Sequence, residues 1–299
     1  MDIESYIKEK ANLVNLFISR YFQHHQKPEE LFNSILYSLT AGGKRIRPVL
    51  CMASYEVFGG NAKEVVPYAS AFEFIHTYSL IHDDLPAMDD DDLRRGKPTN
   101  HKVFGEAIAI LAGDGLLTEA FKILSSKSYM NSLPNGMSDG VILSLIHEVA
   151  SSAGLDGMVV GQAMDIISEQ KQPSEETLVF IHTNKTAEMI KVSVKAGAML
   201  ANAEDKYIEL LTRYGLNIGL AFQIVDDIID ITETTESLGK TKGSDDRKKK
   251  MTYPALFGID TSRQKVKDLV DEAIDTLSIF NERAEPLRLI ARYLSERKN

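Results

Sequence analysis

The sequence predicts an all-α fold, a large helical bundle in which a central layer is enclosed by others, and three observations carry that expectation. Apolar residues recur at three-to-four spacing, as in Leu31, Ile35, Leu36 and Leu39. Runs that alternate apolar and polar residues are scarce along the chain. Several expected helices are apolar on more than one face, the pattern of a helix packed on all sides.

Proline and glycine punctuate the elements in order. Pro28 before Glu29-Glu30 suits a first helical turn that Gly42-Gly43 stops, and Pro48 opens a second helix running to Gly59-Gly60. Further helices are expected over 62–83, 101–126, 138–168, 174–201 and 204–232, with a looser C-terminal set from Pro254. No Ser/Pro-rich linker and no repeat divides the sequence, so residues 1–299 are expected to form one domain.

A net charge of -9 argues against nucleic acid or an anionic membrane as partner. The longest apolar stretches, such as 107–112, are too short for stable membrane insertion. The start, Met1-Asp2-Ile3-Glu4-Ser5, does not have the form of a signal peptide. Cys51, the only cysteine, lies in the apolar run Val49-Leu50-Cys51-Met52-Ala53 and is read as a packed thiol. Together these features predict a cytoplasmic protein whose partners are small molecules or a second copy of itself.

Two acidic clusters carry the chemistry. His82-Asp83-Asp84-Leu85-Pro86-Ala87-Met88-Asp89 follows an apolar helix, and Pro86 should end that helix and let Asp89 swing back towards Asp83 and Asp84. Alone, this run would read as a solvated loop. The second cluster, Asp226-Asp227-Ile228-Ile229-Asp230, lies in otherwise apolar helix, with Asp226 and Asp230 on one face at i and i+4. Carboxylates so placed repel and are costly to bury unless cations pair with them. Oxygen-only donors select a hard ion, magnesium above all. Zinc and EF-hand patterns are missing from the sequence. Two facing clusters imply a shared polyanion, a diphosphate bridged by Mg2+.

Basic residues accompany them. Gly42-Gly43-Lys44-Arg45-Ile46-Arg47-Pro48 places three cations at a helix junction, and Arg94-Arg95-Gly96-Lys97 follows the first cluster. Each alone is ordinary surface charge; beside metal-type clusters they suit a second diphosphate held without metal.

In these motifs the chain resembles the trans-isoprenyl diphosphate synthases, and in detail the bacterial farnesyl diphosphate synthases. The resemblance covers 42–48, the first Asp-rich motif with its two-residue insertion at 83–89, Arg94-Arg95-Gly96, Gly161-Gln162 and Lys185-Thr186. It continues through Phe222-Gln223, the second Asp-rich motif at 226–230, Gly239-Lys240 and Thr252-Tyr253-Pro254. Glu188 and Met189 depart from it, standing where a glycine or small apolar residues are expected.

The resemblance implies a bundle of the isoprenoid synthase type with a central active-site cavity, and a homodimer. It implies three Mg2+ ions held by Asp83, Asp84, Asp89, Asp226, Asp227 and Asp230. Lys44, Arg47, His76 and Arg95 would bind isopentenyl diphosphate; Arg94, Lys185, Lys240 and Lys250 would bind the allylic diphosphate, first dimethylallyl and then geranyl. Lys185, Thr186, Gln223 and Arg94 would serve catalysis, and Tyr78 and Ser79, five and four positions before Asp83, would set chain length. Taken alone, Tyr78 and His76 read as core residues, Asp165 as a buried polar partner, and Arg45, Lys248 and Lys249 as solvated charge. Geranylgeranyl diphosphate synthase, or a non-catalytic subunit of the same fold, is the alternative.

Overall fold

The computed structural model describes residues 1–23, 27–134, 137–169, 174–232 and 251–296. The all-α expectation holds, and α4 (Ala62–Asp83) covers its expected span. Asn61 caps its start reciprocally with Glu64, and Tyr68, Phe72, Phe74 and Ile75 along it are fully buried. A helix apolar all round has to lie inside, and α4 does.

Packed against it are α1 (Ile3–Tyr21), α2 (Glu29–Leu39), α3 (Ile46–Val57) and α6 (Glu106–Leu124); α5 (Asn100–Phe104), α7 (Lys127–Ser132) and α8 (Asp139–Ala153) complete this half of the chain. One apolar cluster gathers Val14 and Ile18 of α1, Leu116 of α6 and Leu145 of α8 around α4. A second joins Leu50 of α3, Ile190 and Val194 of α11 (Glu188–Leu200), and Tyr214 and Ile218 of α12 (Asp205–Thr232). The C-terminal helices α13 (Tyr253–Phe257), α14 (Ile259–Thr276) and α15 (Glu285–Glu296) follow, and Leu269 and Ile290 enter the second cluster. The apolar stripe Ile7, Ala11, Val14 and Ile18 packs α1, a helix that the sequence reading left unassigned.

Two expected helices are broken. The span 101–126 divides at Gly105, whose φ of 82° no helix accommodates, and 138–168 divides at Gly154–Gly157, between α8 and α9 (Met158–Ser168). The span 174–201 is continuous but changes pitch: α10 (Glu175–Ile181) passes through a π-helical turn, His182–Ala187, into α11. The reading also missed a two-residue hairpin, β1 (Leu93–Arg94) with β2 (Lys97–Pro98), which pairs Arg94 with Lys97. Arg95 and Gly96 at its tip have φ of 54° and 75°, the signs a type I′ turn demands.

Candidate active site

Helix α4 ends where Pro86 forbids another turn, and the chain doubles back so that the Asp89 N–H donates to the Asp83 carbonyl at 2.8 Å. This is the swing expected from the sequence. Asp83 lines a cavity of about 630 Å³. Asp84, only 3% exposed, faces away from it and takes the Arg94 Nε–H at 2.7 Å. Burial pushes the Asp84 carboxyl up to about 6, against the pull of Arg94. Burial works against the Arg94 charge too, but Asp84, Asp83 and Asp91 outweigh it and raise the guanidinium.

Across the cavity, α12 presents Asp226. Asp227 is buried beside it: it accepts Gln223 Nε2–H at 3.0 Å and the Tyr253 N–H at 2.8 Å, with His182 Nε2 3.2 Å away. Asp230 is buried as well, and neither it nor Asp89 lines the cavity. The six aspartates thus divide between Asp83 and Asp226 at the wall, the buried Asp84, Asp227 and Asp230, and the half-buried Asp89.

The π-helical turn brings Lys185 and Thr186 to the same wall. Its close approach to α9 depends on Gly161, where a Cβ would lie 2.2 Å from the Lys185 backbone nitrogen. Lys185 Nζ is 2.7 Å from Asp165 Oδ2, which gives Asp165 the polar partner its burial requires. Thr186 donates to Gln223 Oε1 at 2.7 Å. Glu188 and Met189 do not reach the cavity. Met189 packs in the core, while Glu188 accepts from Ser152 and Lys191.

Arg47 and Arg95 form the cationic side of the cavity, and His76 lines it with them. Arg47 Nε is buried without a hydrogen-bond partner, and burial lowers the guanidinium from its ordinary value. Burial, then Arg47 and Arg95, hold the His76 imidazole well below its ordinary range, so it is neutral near pH 7. Arg95 donates to the Gly42 carbonyl, and its guanidinium lies 2.8 Å from where a Cβ on Gly43 would stand. The structure does not bring Lys44 there: it is exposed, with Nζ 5.1 Å from the Tyr293 ring centre. Lys240 and Lys250, like Lys248 and Lys249, lie outside the described residues.

Arg45 corrects the sequence reading. It is 5% exposed, not solvated, because its guanidinium bonds Glu73 at 2.6 Å, Asn15 and the Leu39 carbonyl. Residues to which the reading gave no role also line the cavity, among them His82, Met158, Val159, Gln162 and Phe222. Gln162 was visible as part of a motif. Both polar atoms of its amide are buried without a hydrogen-bond partner, as suits a group waiting for a ligand.

Tyr78 and Ser79 line the cavity one turn before Asp83. Tyr78 is 8% exposed, and burial followed by the Asp83 charge pushes its hydroxyl up to about 12. Among the described residues no three His, Cys, Asp or Glu side chains stand close enough to hold an ion by themselves. That is compatible with magnesium, which keeps waters and takes substrate phosphate oxygens beside one or two carboxylates. Asp83 and Asp226, oxygen donors from two helices lining one cavity, fit such an ion.

A polyprenyl synthetase family profile matches residues 28–285. A geranylgeranyl diphosphate synthase of Cyanophora paradoxa is 44% identical over 99% of this chain and 96% of its own length. A farnesyl diphosphate synthase of Bacillus subtilis is 45% identical over 91% of this chain and 90% of its own. The crystal structure of a Zymomonas mobilis FPP/GFPP synthase superposes with a TM-score of 0.86 at 35% identity, covering 98% of each chain. With the arrangement of the cavity, these likenesses identify the chain as a member of the polyprenyl synthetase family, a trans-prenyl diphosphate synthase.

Proposed function

We propose that this enzyme condenses isopentenyl diphosphate with dimethylallyl diphosphate and then geranyl diphosphate, and that farnesyl diphosphate is its main product. The observation that carries the choice of product is Tyr78 in the cavity wall, five residues before Asp83 on α4. At 1.5 Å rise per residue it stands about 7.5 Å along the helix from the aspartate end. A prenyl tail running back along α4 from a diphosphate at Asp83 meets that ring. The twenty-carbon alternative is favoured by the geranylgeranyl diphosphate synthases among the relatives.

In this reading Asp83 and Asp226 hold magnesium with the allylic diphosphate, three ions in all, while Asp84, Asp89, Asp227 and Asp230 position them. Magnesium when bound supplies Lewis-acid stabilisation of the departing diphosphate. Arg94 and Lys185 bind the same group, and Lys240 and Lys250 are proposed to join them. Arg47, His76, Arg95 and, from outside the cavity wall, Lys44 take isopentenyl diphosphate.

The allylic carbon–oxygen bond breaks and its electron pair leaves with diphosphate. The isopentenyl double bond then attacks the allylic cation, and the proton lost passes to the released diphosphate, so no side chain need act as base. Thr186 and Gln223 direct dipoles at the cation, while Phe222, Met158 and Val159 exclude water. The proposal extends to a homodimer of one-domain chains in the cytoplasm. No helix among the described residues is long and apolar enough to cross a membrane. Turnover by Asp83→Ala and Asp226→Ala tests the clamp: both should lose activity with helicity kept, and wild-type rates in magnesium would refute it.

A further inference from the structure

His82 is a cavity residue that the reading above leaves without a role. It stands four residues after Tyr78 on α4, and the two rings meet edge to face, 5.7 Å apart at 83°. Its far side is fixed to α6. Nε2 lies 3.0 Å from the Ile110 carbonyl oxygen, an acceptor only, so this nitrogen carries the proton and donates it. Asp114 Oδ1 is 3.9 Å from the same nitrogen.

The seat beneath the ring is Gly113. A Cβ built there would fall 2.1 Å from His82 Nε2 and 2.5 Å from Cδ2, so the imidazole occupies the space that any side chain would need. Gly113 is helical, and a glycine within a helix costs about 0.5–1 kcal/mol relative to alanine. Here the glycine leaves room for the ring. A histidine that was merely filling space would require neither a glycine beneath it nor a carbonyl aimed at its nitrogen.

We propose that His82, held by Ile110 and Gly113, is a positioning residue for product length: it braces the Tyr78 ring across the end of the prenyl cavity. The inference rests on the reading of Tyr78 as that end. Tyr78 belongs to α4, and a growing chain reaches it from the Asp83 end. His82 touches that ring and is tied to α6, so the orientation of the stop is set from two helices.

The test is the ratio of twenty-carbon to fifteen-carbon alcohols after dephosphorylation, a readout that does not depend on overall rate. Wild type, Tyr78→Ala, His82→Ala, His82→Gln, Gly113→Ala and the double variant Tyr78→Ala/His82→Ala are compared at equal conversion. His82→Ala should raise the ratio several-fold. Adding it to Tyr78→Ala should change nothing further, because the brace then has nothing to hold. Gly113→Ala should move the ratio away from wild type while the more helix-prone alanine leaves α6 intact by circular dichroism.

If His82→Ala does not fold, His82→Gln, which keeps a donor for Ile110 but no ring, should raise the ratio instead. A Tyr78→Ala enzyme that still stops at fifteen carbons refutes the reading of Tyr78. The brace itself is overturned if Tyr78→Ala lengthens the product while the His82 and Gly113 variants keep the wild-type ratio. A His82→Ala effect that adds in full to that of Tyr78→Ala also overturns it.

Discussion

Gln223 joins two elements through one amide: its Oε1 accepts the Thr186 hydroxyl at 2.7 Å, and its Nε2 donates to Asp227 at 3.0 Å. The π-helical turn and the second aspartate cluster therefore share an orienting group. Gln223→Glu keeps the size and the acceptor for Thr186 but sets a carboxylate against Asp227. Disrupting a buried polar contact costs about 1–3 kcal/mol, which predicts a turnover loss of about 10- to 100-fold with helicity unchanged. Steady-state kinetics beside circular dichroism checks it; an undiminished rate would separate the amide from catalysis.

Gly161 gives a second prediction. A Cβ there meets the Lys185 main chain at 2.2 Å, and a backbone atom cannot swing aside as a side chain can. Gly161→Ala should push the π-helical turn off α9, lower stability by about 1–3 kcal/mol and cut turnover. Urea unfolding and kinetics should change together. Wild-type values in both would mean that α9 and the turn adjust freely.

Arg45 is the third. It pairs with Glu73 at 2.6 Å where both side chains are 3% exposed. Arg45→Met strands the Glu73 carboxylate, which typically costs about 3–5 kcal/mol, and the double variant Arg45→Met/Glu73→Leu should recover much of the loss. Urea midpoints of the three proteins measure this. Equal midpoints for wild type and Arg45→Met would show the pair to be exposed in solution.

Local pattern carried much of this structure and failed where distant residues decide. Helix α4 was legible because Gly59-Gly60 closes the helix before it, Pro86 ends it and its apolar content leaves it nowhere but the interior. The Asp83–Asp89 fold-back was legible for the same reason: proline acts locally. Arg45 was not, since Lys44 and Arg47 stand in the same basic run and its burial depends on partners elsewhere, Asn15, the Leu39 carbonyl and Glu73. Lys44 lies outside the cavity lining, with its ammonium 5.1 Å from the Tyr293 ring centre, a long-range contact that no local motif announces. The π-helical turn leaves no mark on apolar periodicity, although Gly161 was a clue to close packing. Acidic composition announced the two clusters; that Asp84 and Asp227 are packed behind them depends on a hairpin arginine and a tyrosine N–H that the sequence places elsewhere.

Under the function proposed above, a magnesium-dependent cavity closed at Tyr78 stops synthesis at fifteen carbons. Purified protein incubated with geranyl diphosphate and excess isopentenyl diphosphate, with Mg2+ or with chelator, and the dephosphorylated products separated by chain length, tests it most directly. Farnesol should be the main alcohol with Mg2+, and none should form with chelator. Geranylgeraniol as the main alcohol, or undiminished synthesis in chelator, would contradict it.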